Sequence, residues 1–243
     1  MKDFIIKRIS SILISTTGFL IVFILWTVLA RGYNPLILPS PRETFLSLIE
    51  LYKSGELIKN IIITVKRTIA GYSLAVGIGI LIAWLLHKNR FLKLILRPII
   101  TVIQTTPPVV WLALAVIWFG IADNITPVFL IFIVTFPIIF INIYEGLQNL
   151  NDKLIEMAEA YKATRKQIYL EILIPALIPY LVSSMSVGLA FAWKSSIFAE
   201  FIGSNSGIGY ALSVANSNLN TPKLYAWSLI LVGLMLVVEY LIF

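Results

Sequence analysis

The chain has 243 residues, 59% of them hydrophobic and 13% charged, with a mean hydropathy of +0.93 and a formal charge of +7. A soluble domain is about half apolar and about a quarter charged, so lipid must act as solvent for the excess, and the soluble globular class is excluded. The basic residues mostly flank apolar runs, which argues against a nucleic-acid partner, and the lack of cysteine excludes disulfides, thiol catalysis and thiolate metal sites.

In chain order, the first apolar run covers about residues 9–30 and follows Lys2, Lys7 and Arg8. Val28-Leu29-Ala30 has the small-residue form of a signal-peptidase site, but the run exceeds the ~7–15 residues of a signal core, which favours an uncleaved anchor. Residues 31–59 carry Pro35, Pro39 and Pro41. Within them, Phe45, Leu46, Leu48, Ile49 and Tyr52 recur at helical spacing between Arg42 and Lys53, which predicts an amphipathic helix along the membrane surface.

Further spans are predicted at about 61–86, 95–119, 126–146, 172–193 and 224–243, each near the ~20 residues a crossing helix needs. The expectation is one all-α membrane domain, 1–243, with six transmembrane helices. With the N-terminus inside, Lys88, Arg90, Lys93, Arg97, Lys153, Lys162, Arg165 and Lys166 fall on the inner side, while the short outer loop 120–125 has no basic residue. The outer segment 31–59 holds Arg31, Arg42, Lys53 and Lys59, so the asymmetry is moderate. Both termini are expected in the cytoplasm.

Gly71, Ala75, Gly79 and Ala83 fall four apart on the second span and form a stripe over which another helix can pack closely. Pro107-Pro108 interrupts the third span just after Gln104, Thr105 and Thr106, with Trp111 following. The helix must kink or break there, either for packing or to line a wet path. Trp193-Lys194-Ser195-Ser196 is expected to end the fifth span, with Glu200 beyond it. Lys194 is a candidate contact for an anionic solute, or a cation that only snorkels to the interface. Gln104, Thr105, Thr106, Pro107, Trp111, Trp193, Lys194, Ser195 and Glu200 form the candidate pathway set.

The longest inner polar stretch, about 150–171, contains an amphipathic helix with Leu154, Ile155, Ala158 and Tyr161 on one side. Its apolar face needs either the membrane surface or a soluble partner to cover it. Glu156-Met157-Ala158 and Ile172-Leu173-Ile174-Pro175 stand at the spacing of the "EAA" loop, and the stretch resembles that loop of binding-protein-dependent ABC importer permeases. Leu38-Pro39-Ser40-Pro41, the run from Gln104 through Pro107-Pro108, Trp111 and Trp118-Phe119-Gly120, and Ala199-Glu200 with Gly207-Ile208-Gly209-Tyr210 are similar to the nitrate/sulfonate/taurine branch.

This resemblance implies a MetI-like type I ABC importer permease in the plasma membrane, working as a permease homodimer with cytoplasmic ABC ATPase subunits and an extracytoplasmic solute-binding protein. It implies an ATPase-coupling loop of Glu156, Met157, Ala158, Glu159, Tyr161, Lys162, Ala163 and Pro175, and a small anion as solute. Lys162 stands where the family has a glycine that makes a turn. Keeping that left-handed turn costs lysine about 1 kcal/mol; otherwise the helix runs on.

No phosphate-binding Gly-x-x-x-x-Gly-Lys-[Ser/Thr] motif is present, so ATP and magnesium are expected on the partner ATPase and no cofactor on this chain. An enzyme is disfavoured, because His87 is the only histidine and Asp3, Asp123 and Asp152 are scattered. No metal cluster emerges. A secondary transporter or channel without ATP coupling is the alternative, against which stands the lack of an internal repeat.

Overall fold

The computed structural model describes residues 17–18, 20–121 and 124–242. The start of the first predicted span and its basic flank Lys2, Lys7 and Arg8 lie outside these residues, as do Asp3 and Asp123. The chain divides into two compact units: Met1–Ile58 with Ala211–Gly233, and Lys59–Tyr210 with Leu234–Phe243.

In the first unit, α1 (Leu20–Gly32) is a short apolar helix. Its Trp26 donates from Nε1 to the Pro39 carbonyl at 3.0 Å and stacks on Tyr225 with ring centroids 6.1 Å apart. Helix α2 (Pro41–Lys53) begins with a reciprocal cap: Ser40 N–H donates to Glu43 Oε2 at 2.8 Å, and Glu43 N–H donates to Ser40 Oγ at 3.3 Å. The backbone and hydroxyl bonds from Ser40 hold the Glu43 carboxyl below the usual carboxylate range. Pro41 suits the first helical position, where its missing N–H is not needed. Phe45, Leu46, Ile49 and Tyr52 are exposed along α2, as expected for an amphipathic surface helix. Lys223 approaches Glu50 at 4.0 Å and Glu56 at 3.8 Å, pairs too exposed to contribute much.

The second unit is built around α6 (Ile125–Gln148), the most buried of the helices long enough to cross a membrane. Phe132, Phe136, Phe140 and Tyr144 recur every four residues along it, with neighbouring ring centroids 5.5–6.2 Å apart. Helix α3 (Glu56–Lys88) lays its small-residue stripe against α6: a Cβ added at Gly71 would come within 2.7 Å of Ile131, and one at Gly79 within 2.9 Å of Ile139. The stripe is therefore used inside the chain. Helix α9 (Ile174–Gly203) packs on α6 by the same device, at Gly188 against Ile139 and at Gly146 against Tyr180.

Two predicted spans need correction. The third, 95–119, is not one continuous helix but two, α4 (Arg90–Thr105) and α5 (Pro108–Phe119), bent by 98° at the break expected at Pro107-Pro108. A residue before proline is driven out of the helical region. Thr106 (ψ 125°) and Pro107 (ψ 139°) are both extended, so two successive residues turn the chain.

The helix of the fifth predicted span, 172–193, does not end at residue 193. Helical structure runs unbroken from Arg165 to Gly203, through α8 (Arg165–Gln167), a π turn (Ile168–Leu173) and α9. Pro175 cannot donate to the Glu171 carbonyl and crowds it; the widened π turn, with Ile174 N–H donating to the Tyr169 carbonyl, accommodates the proline. Nothing in Trp193-Lys194-Ser195-Ser196 stops a helix, so those residues lie inside α9.

Two helices complete the chain, α10 (Ile208–Ser217) and α11 (Thr221–Ile242). Among the described residues, four helical stretches can cross a membrane by length and composition, and α4 with α5 makes a fifth if counted as one broken span.

Candidate functional site

The inner segment folds as α7 (Asp152–Ala160), a turn, and α8. Asn151 caps α7 by accepting from Lys153 N–H at 3.1 Å. At the other end, Ala163 N–H donates to the Ala158 carbonyl and Lys162 N–H to the Glu159 carbonyl, both at 2.9 Å, the paired bonds of a helix stop with a left-handed residue. That residue is Lys162, at φ +61°. The turn of the resemblance is kept with lysine in glycine's place, and the helix does not run on.

Thr164 then restarts the helix in a capping box with Gln167. Ile155, Ala158 and Ala163 are half-buried, whereas Leu154, Met157 and Tyr161 are uncovered at helical spacing; Tyr161 is 83% exposed. Glu156 and Glu159 are exposed beside them, and Pro175 is exposed in the first turn of α9. The sequence placed Tyr161 with Ile155 and Ala158; the fold separates an inward pair from an outward stripe.

The pathway candidates do not form one cluster. The Thr105 and Thr106 hydroxyls return to carbonyls of their own helix, and Gln104 is exposed. Trp111 donates from Nε1 to the Ile103 carbonyl at 3.3 Å, across the break at Pro107. Trp193 and Ser195 are buried on α9, next to the exposed Lys194. The Lys194 ammonium lies 5.7 Å from the Phe191 ring centroid and, among the described residues, forms no ion pair.

Glu200 is fully buried. It accepts from Thr64 Oγ1 at 2.8 Å, from Arg67 Nη1 at 3.0 Å and from the Gly209 N–H at 3.1 Å. Arg67 also donates to Asn124 Oδ1, the Ser206 carbonyl and Ser206 Oγ. The first N–H groups around the start of α10 thus find acceptors on other helices, since Ile208 donates to Thr64 and Gly207 to Asn60. Gly207 sits at φ +100°, and a Cβ there would run into the Glu200 carboxyl. Thr64, Arg67 and Glu200 are buried, and the centre binds helices together.

Arg67 and Thr64 were missed at the level of sequence, although Lys66-Arg67 inside an apolar span was a signal that a buried partner must exist. Among the described residues no group of His, Cys, Asp or Glu could hold a metal ion.

Comparison with known proteins gives a consistent set of relatives. Residues 75–243 match the family described as "Binding-protein-dependent transport system inner membrane component". The chain is 32% identical over 217 residues to an ABC transporter permease protein of Methanocaldococcus jannaschii, covering 87% of this chain and 80% of that one. It is 28% identical over 208 residues to a protein of Bacillus subtilis named for aliphatic sulfonates transport, covering 85% and 75%. It is 34% identical over 150 residues to a nitrate import permease protein of Synechococcus elongatus, covering 62% and 53%. Among solved structures, a chain of the MetNI methionine ABC transporter in an inward-facing conformation superposes with a TM-score of 0.65 at 19% identity, covering 78% of this chain and 92% of that one.

Proposed function

The chain belongs to the inner-membrane components of binding-protein-dependent transport systems, and from that premise we propose that it carries a small anion of the nitrate, sulfonate or taurine kind. It is a multi-pass ABC importer permease of MetI-like fold, not an enzyme, served by separate ATPase and solute-binding subunits.

The uncovered stripe of Leu154, Met157 and Tyr161 carries the mechanistic reading. An uncovered apolar helix face with exposed charges of both signs around it, Lys153, Glu156, Glu159 and Lys162, fits a groove on a soluble partner. The ATPase docks there, and the stop at Lys162 fixes how far α7 reaches. Pro175 joins the loop to α9, so movement of the ATPase subunits is passed directly into a helix that crosses the membrane. ATP and magnesium stay on the partner, the permease acts as a pair of identical chains, and both termini lie in the cytoplasm.

The test is uptake of nitrate, an alkanesulfonate and taurine by vesicles holding the permease with its ATPase and binding protein. Glu156→Lys should cut uptake on the order of tenfold while ATP is still hydrolysed, because a reversed charge at the rim of a docking surface slows association, and a cost of about 1.4 kcal/mol is already tenfold. Uptake and hydrolysis that remain coupled in the variant would refute α7 as the docking helix.

A further inference from the structure

Helix α4 has three distinct faces. Leu92, Leu96 and Ile100 pack on the core of the second unit. Phe91, Leu94, Ile95, Ile99 and Val102 form an exposed apolar face, as a lipid-facing surface would. Between them runs a third face of Arg90, Lys93, Arg97, Thr101 and Gln104, spaced three or four apart and so aligned along one side of the helix. All five are exposed except Lys93, which is half-buried and points its ammonium at the Tyr144 ring, 5.5 Å from the centroid.

We propose that this stripe is a wet, positively charged wall along which a small anion moves through the inner half of the permease. The inference rests on the permease reading and names the surface that the solute meets.

Two observations favour water over lipid on this face. Cations that serve only lipid headgroups need occupy only the membrane-surface end of a helix. Here the polar row continues from Arg97 through Thr101 to Gln104, about 21 Å from Arg90 at 1.5 Å per residue. Lastly, among the described residues Arg90, Lys93 and Arg97 form no ion pair, so the positive charge is not neutralised by the protein. The Thr101 hydroxyl already donates to the Arg97 carbonyl, which leaves the three cations and the Gln104 amide as the donors an anion would meet.

The chain has no cysteine, so label on this chain, separated from the ATPase, reports a single introduced cysteine. Thr101→Cys and Gln104→Cys on the stripe, with Ile99→Cys and Val102→Cys on the apolar face, would each be assembled with the ATPase in inside-out membrane vesicles. Each is then treated with membrane-impermeant thiol reagents of charge −1 and +1, without nucleotide or solute. The stripe variants should react and the apolar-face variants should not. After correction for reactivity with a free thiol, the anionic reagent should be favoured by about tenfold, the lower range of focusing by a charged cleft. Adding Arg97→Gln should shrink that preference.

Stripe positions as inert as Ile99→Cys would show a lipid-covered or protein-covered face and overturn the proposal. Reaction without charge preference would overturn the anion wall. Neither result bears on the coupling helix, because labelling is read without transport; a failure of the Glu156→Lys test would leave the labelling pattern as it is.

Discussion

Arg67 and Glu200 stand 133 positions apart and meet at 3.0 Å with almost no exposure. Burying two charges is expensive, and the pair persists because both carboxylate oxygens and four of the five guanidinium N–H groups are engaged, with Thr64, Asn124, Ser206 and the Gly209 N–H as the further partners. Arg67→Ala leaves a carboxylate buried with too few donors and should lower stability by about 3–5 kcal/mol, read as unfolding of the detergent-solubilised protein. A plain ion pair can be replaced by two apolar residues at little cost. Here Glu200 also serves the start of α10, so Arg67→Met with Glu200→Met should recover only part of the loss. Full recovery would mean that capping of α10 contributes nothing. The sequence contained both charges, but a link between residues so far apart in the chain has no local signature. Lys162 shows the reverse case: its position was legible from loop spacing, while the choice between a left-handed turn and a longer helix needed the observed φ of +61°.

Among the elements, the break between α4 and α5 was legible as chemistry, but its 98° angle was not. Proline states that the helical bond is lost; the direction of the next helix depends on packing, here on Trp111 reaching back to Ile103. The two prolines act jointly, since Pro107 restricts Thr106 and Pro108 restricts Pro107. Either single replacement by alanine should therefore leave the bend, and only Pro107→Ala with Pro108→Ala should release it. Spin labels at Ile99→Cys and Ile117→Cys, both exposed, would report the change. At 1.5 Å per residue their backbones stand about 17 Å apart when bent and about 27 Å apart if one straight helix forms. An unchanged distance in the double variant would assign the bend to tertiary packing alone. Helix α10 went unseen for a related reason: with 10 residues it is too short to be a span, and the acceptors for its first N–H groups lie on distant helices.

For the molecule as a whole, surplus hydrophobicity made the membrane class plain, and the places of α3, α6 and α11 in the chain followed from apolar runs. Apolar length could not show that the fifth span continues to Gly203, because polar residues buried inside a bundle look like a helix end when read in one dimension. That extension changes the place of Lys194. Nine residues of helix follow it, about 13 Å at 1.5 Å per residue, so it does not stand at the helix end. An exposed ammonium at that position either faces lipid, where it is costly, or faces the water of a solute path, where it attracts an anion. The two alternatives predict opposite outcomes for the same variant. If Lys194 lines the path, Lys194→Met should lower anion uptake by about tenfold at low solute concentration, Lys194→Arg should keep most of it, and Lys194→Glu should lose more than methionine does. If Lys194 faces lipid, methionine removes only a cost, so the protein should become more stable while uptake is unchanged. Measuring initial uptake together with thermal unfolding for the three variants decides between them.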